Sequence, residues 1–268
     1  MRNLASLLLC PALLAASGCE QPPEPVSQYE SCWPALLDAH SIVYFEFDQG
    51  QPSAEAIAGA RAVLRERLSS CGPADSYYGT PEEVTIEYGG IVSLFDMAII
   101  ADDPELVRQY ADGDPVEGNE KPDRGLLLYA EQFIQVGAYY ESRNALRELG
   151  ALGHDPRAPD EYGGTALHIV NAYTSTGLQL IRDFASTGID VNAPTERGIT
   201  PIMAARLRGD LVKAQCLFAL GAEIPDMSVF EPWDVEPHRD AAVAAVDAFL
   251  LADEREVPTD VLSVCLID

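Results

Sequence analysis

Six cysteines, four histidines and an excess of carboxylates are the side chains of this chain that could do chemistry. Their spacing decides which chemistry. His40, His154, His168 and His238 are scattered, and none sits at metal-ligand spacing from another. The run Asp112–Asp123, DGDPVEGNEKPD, puts carboxylates at positions 1, 3 and 12 of a calcium-loop pattern. Val116 and Glu117 stand where that pattern needs a ligand and a glycine, so a solvated loop is the better reading. The chain has no Gly-x-Ser-x-Gly elbow, phosphate-binding loop, His-Glu-x-x-His or Cys-x-x-Cys. The carboxylates are too numerous for any pair to stand out. The expectation is a protein without catalytic residues, bound metal, cofactor or small-molecule substrate.

The cysteines are more informative. Arg2 precedes an apolar run, Leu4–Ala16, which ends in Ala16-Ser-Gly-Cys19. That run is too short to span a bilayer and has the layout of an export signal. It resembles a bacterial lipoprotein signal, although position 16 is Ala where Leu is usual. The resemblance implies cleavage before Cys19, diacylglycerol on its thiol, and a stable hold on the membrane through several acyl chains. Glu20, where Asp would favour inner-membrane retention, leans toward the outer membrane. Residues 20–30 are Pro-rich and polar, as a tether is. Cys10 would leave with the signal, so Cys32, Cys71, Cys216 and Cys265 remain. In an oxidising periplasm these four can pair in three ways. Cys32–Cys71 and Cys216–Cys265 are favoured because each pair lies within one candidate unit. The competing reading of Cys216 is a small buried helix residue.

Net charge bounds the partners. The 268-residue chain carries −26, which argues against nucleic acid and anionic lipid surfaces. It fits a basic protein partner, or simply solubility.

Between 88 and 226 the chain repeats. GGTALHIV at 163–170 and GITPIMAA at 198–205 place Thr165 and Thr200 35 residues apart. Thr at each start can cap a helix with its hydroxyl, and Pro201 suits the first helical position. Gly188 and Gly221 lie where second helices should stop in left-handed geometry. Leu211, Val212, Cys216, Leu217 and Leu220 recur at helical spacing, as one buried face should. These phrases resemble the ankyrin repeat. Blurred copies begin near Ser93, with Asp102 as the cap of its second helix, and near Leu127. Ser93, Leu127, Thr165 and Thr200 step by 34, 38 and 35 residues, the longer step implying extended helices in an aromatic-rich stretch. The resemblance implies four stacked helix pairs, a structural role for His168 that ties adjacent repeats, and function by surface binding.

Upstream, Ser41–Asp48 (SIVYFEFD) and Val84–Tyr88 read as strands flanking a helix opened by Gln51-Pro-Ser53, with Ile57, Val63, Leu64 and Leu68 on one face. VYFEFDQGQPSAEA resembles the opening of the OmpA-like peptidoglycan-binding domain, but that family's ligand-binding segment has no match here. The expected organisation is a signal at 1–18, a tether at 19–30, a small α/β segment at 31–87, repeats at 88–226 and a C-terminal cap at 227–268. The fold class is mainly α, an ankyrin-repeat solenoid closed by a capping helix over Arg239–Leu251.

In ankyrin arrays the turn tips and first helices meet partners. Here those positions include Glu161, Tyr162, Tyr173, Glu196, Arg197, Arg206 and Arg208. Tyr and Arg are enriched among interface hot spots. The expected function is a lipid-anchored periplasmic module that binds one protein, one version being an inhibitor or immunity protein against a delivered toxin. The alternative is a structural protein linking outer membrane to peptidoglycan.

Overall fold

In the computed structural model, residues 28–48, 53–71, 94–111, 133–160, 162–224 and 240–266 are described. The signal, the tether up to residue 27, the acidic run 112–123 and the expected strand at 84–88 lie outside them. All the regular elements among the described residues are helices.

The chain enters as a hairpin, α1 (Gln28–Asp48) and α2 (Ala54–Cys71). The strand expected at Ser41–Asp48 is therefore helix. Its aromatic and β-branched residues favour a strand locally. Leu36, His40, Val43 and Phe47 nevertheless fall at helical spacing and are all buried. Burying that stripe outweighs propensity, which is a weak prior. Ser53 opens α2 by accepting from the Ala56 N–H (3.2 Å). The buried face of α2 is Ile57, Ala60, Leu64 and Leu68, while Val63 faces solvent.

Four helix pairs follow: α3 (Leu94–Ile100) with α4 (Pro104–Ala111), α5 (Phe133–Tyr139) with α6 (Arg143–Ala151), α7 (Ala166–Ile169) with α8 (Ser175–Ser186), and α9 (Pro201–Arg208) with α10 (Leu211–Ala219). The first helices α3, α5, α7 and α9 pack one against the next as an inner row. In the outer row α4 packs on α6, and α8 on α10. One apolar core runs from Leu36 through every pair to Cys265.

The described inner helices begin 39, 33 and 35 residues apart, so the long step falls between the first and second pairs. The helices of the second pair span seven and nine residues and are not extended. Asp103, rather than Asp102, caps α4, accepting from the N–H groups of Glu105 (3.0 Å) and Leu106 (3.2 Å). Gly188 and Gly221 take left-handed φ of 90° and 92° after α8 and α10, where a side chain would be strained. On α10 the fully buried residues include Lys213, Ala214, Cys216 and Leu217, while Leu211, Val212 and Leu220 are only partly covered.

The last described helices are α11 (Asp240–Leu250) and α12 (Thr259–Cys265). α11 continues from α9 and α10, and α12 lies against α8 and α10. Cys216 and Cys265 are joined as a disulfide, with their Cα atoms 5.6 Å apart. The side chains of Cys32 and Cys71 lie outside the described residues.

Candidate interaction surface

The turns that precede the inner helices α7 and α9 are built from short local hydrogen bonds. Asp160 holds one tip, its Oδ1 accepting from the N–H groups of Tyr162 (2.8 Å) and Gly164 (2.6 Å). The next tip closes through Thr195, whose N–H donates to Ile199 O (2.8 Å) and whose hydroxyl accepts from Ile199 N–H (3.2 Å). Glu196 N–H then donates across to Tyr162 O (2.8 Å), joining the two tips. Asn192 repeats the device one step on, its Oδ1 accepting from Glu223 N–H (2.7 Å). Tyr162 is 44 % exposed, and Glu196 and Arg197 are exposed beside it.

His168 sits directly behind these tips and is 3 % exposed. Its Nδ1 accepts from Thr165 N–H (2.9 Å) and lies 3.1 Å from the Thr165 hydroxyl. An Nδ1 used as an acceptor leaves the proton on Nε2, which donates to Ile199 O of the next repeat (3.0 Å). Burial lowers the pKa of this ring, so it works as a neutral crosslink. Thr165 and Thr200 both occupy helix N-cap positions. Their hydroxyls do not act alike, however. That of Thr165 meets His168, and that of Thr200 is buried without a partner.

Three of the residues expected at a partner surface are engaged inside the molecule. Arg206 clasps Asp247 of α11 through Nε (2.5 Å) and Nη2 (2.9 Å). Arg208 donates to Ile169 O (2.6 Å) and Asn171 Oδ1 (3.0 Å) and stacks 5.5 Å above the Tyr139 ring. Tyr173 is half-buried, 6.5 Å from Phe47 of the hairpin. Glu161 lies outside the described residues. The structure thus brings Tyr162, Glu196 and Arg197 together on the tips and draws Tyr173, Arg206 and Arg208 into internal contacts.

Sequence reasoning missed a set of buried polar residues. Lys213 is fully buried and donates from Nζ to His168 O (2.9 Å). Burial holds its pKa well below the usual lysine range, with Arg208 adding to the effect. Glu141 is 3 % exposed and accepts from both the N–H (3.3 Å) and the hydroxyl of Thr174. Burial raises its pKa, while the hydrogen bonds from Thr174 pull it back. Asp102, half-buried and expected to cap its own repeat's second helix, instead accepts through Oδ1 from the N–H groups of Asn144 (2.7 Å) and Ala145 (3.0 Å) of the next repeat. An acid at the inner-to-outer turn was the available signal. Among the described residues, no group of His, Cys, Asp or Glu is arranged to hold a metal ion.

Helix pairs in two rows, threonine at the N-cap position of two inner helices, a histidine crosslink between repeats and left-handed glycines after outer helices define an ankyrin-like helical solenoid. No protein-family model matches this sequence, and no curated protein matches it. Among solved structures it is similar to the crystal structure of the ankyrin repeat domain of Bcl-3, described as a unique member of the IkappaB protein family. That likeness has 17% identity and a TM-score of 0.38, and it covers 74% of this chain and 87% of that one.

Proposed function

We propose that this chain is a protein-interaction module, held by a lipid on Cys19 to a bacterial envelope membrane and facing the periplasm. Its tips meet a basic protein partner. The observation that carries the reading is the cluster of Tyr162, Glu196 and Arg197, exposed together on tips that are themselves hydrogen-bonded to each other. Fixed backbone beneath exposed aromatic and charged side chains is suited to binding, because little ordering entropy remains to be lost. A charge of −26 favours a basic partner and disfavours nucleic acid. The specific form we favour is an inhibitor or immunity protein against a toxin delivered to the periplasm, with the outer membrane as the anchoring site. The envelope-linking alternative drew on a strand at Ser41–Asp48, and that segment is helical.

Crosslinked pull-down of the mature protein from an envelope fraction tests the surface. Tyr162→Ala with Arg197→Ala should weaken capture of the partner by about 1–3 kcal/mol per hot spot, with the thermal midpoint unchanged. Arg206→Ala should instead lower the midpoint, because it unpairs Asp247. Undiminished capture by the tip variants would move the partner elsewhere. Mass spectrometry of membrane-extracted protein should show acylated Cys19. A Cys19→Ser chain that is still processed and membrane-bound would overturn the anchor.

A further inference from the structure

α12 belongs to neither row of the solenoid. It packs on the outer helices α8 and α10 and is seven residues long, too short to persist on its own. Val261 and Cys265 are buried, Val257 and Val264 pack against the core, and Arg182 Nη1 reaches Val264 O at 3.4 Å. The remaining tie is covalent, Cys265 to Cys216 on α10, across 49 residues of chain. Both cysteines are fully buried.

We propose that α12 is a strap fastened once by oxidation and then shielded from reduction. Cys216 belongs to the solenoid, and Cys265 rides on α12, a helix too short to hold its shape undocked. While α12 is undocked, the Cys265 thiolate can attack a sulfur of a disulfide-bearing oxidant and release one oxidant thiol. As α12 docks, the Cys216 thiolate attacks the Cys265 sulfur of that mixed disulfide and displaces the second oxidant thiol. Two electrons leave the cysteine pair and two protons end on the released thiols. Exchange requires an attacking thiolate to reach a sulfur. With both sulfurs under the docked helix, that approach is closed, and the fastened strap persists in a mildly reducing medium. The inference does not depend on lipid anchoring or on the identity of any partner.

Hydrogen exchange on the full mature chain, produced oxidised, tests it. Amides of residues 261–265 should be protected in the native protein and lose protection by about tenfold or more in Cys265→Ser, while α7–α10 remain protected in both. In millimolar dithiothreitol the native disulfide should survive for hours, and both thiols should label rapidly once denaturant is added. Three results would overturn the strap: unchanged protection of α12 in Cys265→Ser, loss of protection throughout α7–α10 in that variant, or native reduction as fast as that of an exposed disulfide. Free Cys216 and Cys265 thiols in protein from an oxidising compartment would do the same.

Discussion

The two halves of the solenoid share one architecture and reach it by different chemistry. At the inner-to-outer turn of the fourth pair, the left-handed residue is Gly209, with φ of 70°. At the same turn in the first and second pairs it is Asp102 (φ 54°) and Glu141 (φ 52°). A residue with a side chain costs about 1–2 kcal/mol in that conformation. Here each side chain reaches forward to the next outer helix. Asp102 serves the start of α6, where Ser142 makes no side-chain cap bond. Glu141 serves Thr174, the cap of α8. A carboxylate at a helix N-terminus meets orphan N–H groups and the favourable end of the dipole, which offsets the strain. Gly209 could not do this, because a Cβ there would lie 2.5 Å from Ala242 Cβ of α11.

The hairpin is part of the same contrast. Arg61 Nε donates to Ile100 O (3.0 Å), Arg61 Nη2 to Tyr140 O (2.5 Å), and Arg65 Nε to Ala101 O (3.1 Å). Burial lowers the Arg61 pKa, and the Asp102 and Glu141 carboxylates raise it. Turns carrying carboxylates are covered by arginines from α2, whereas the Gly209 turn is covered by alanine from α11. Both halves thus satisfy polar turn groups across repeats, one with turn carboxylates and hairpin arginines, the other with Arg208, Asp210 and Lys213 reaching back to the preceding pair.

Substitutions can break this comparison at either end. The largest effect is expected from His168→Ala in the regular half. It strips partners from Thr165 N–H and Ile199 O and leaves a cavity, costing about 3–4 kcal/mol by urea denaturation. A cost under 1 kcal/mol would mean the crosslink is dispensable.

Acid should weaken the irregular half through His40. That ring is buried against Tyr44 and Tyr140 with no partner on Nδ1, and burial lowers its pKa to about 4. The unfolded chain binds the proton at about 6.5. The hairpin's stability is therefore full above pH 6.5 and is lost as pH falls toward 4, by about 3 kcal/mol at most. His40→Phe should flatten this slope in melts recorded between pH 7 and 4.5. Glu141 acts with the opposite sign, because its raised pKa means protonation on acidification favours the folded state. An unaltered slope in His40→Phe would assign the acid sensitivity to other groups.

Glu141→Ala should cost about 2–3 kcal/mol, since it keeps the strained turn and leaves Thr174 without its buried acceptor. If Glu141→Gly proves as stable as wild type, the carboxylate does no more than offset its own strain. The smallest change is Asp102→Gly, about 1 kcal/mol, because lost capping is partly compensated by the relaxed turn. Asp102→Asn, which keeps an acceptor oxygen, should lie between it and the wild type.

Between residues 163 and 222 the fold was legible, because its signals act within one helical turn. The N-cap positions of Thr165 and Thr200, Pro201 at a first helical turn and the left-handed Gly188 and Gly221 each concern backbone groups a few residues away. The site was legible only in part. Exposure of Tyr162, Glu196 and Arg197 followed from their place at turn tips, but Arg206, Arg208 and Tyr173 sit at comparable positions and are tied inward.

What the sequence by itself determined is where helices of the regular repeats start and stop. Tertiary structure decided that Ser41–Asp48 coils as helix, that Asp102 caps a helix beginning some 40 residues later, and which arginines face solvent. The physical reason is range. A cap or a left-handed stop is a bond within one turn, whereas Asp102 to Asn144, Glu141 to Thr174, His168 to Ile199 and Arg206 to Asp247 span 42, 33, 31 and 41 residues. Those pairs come together only when the repeats stack.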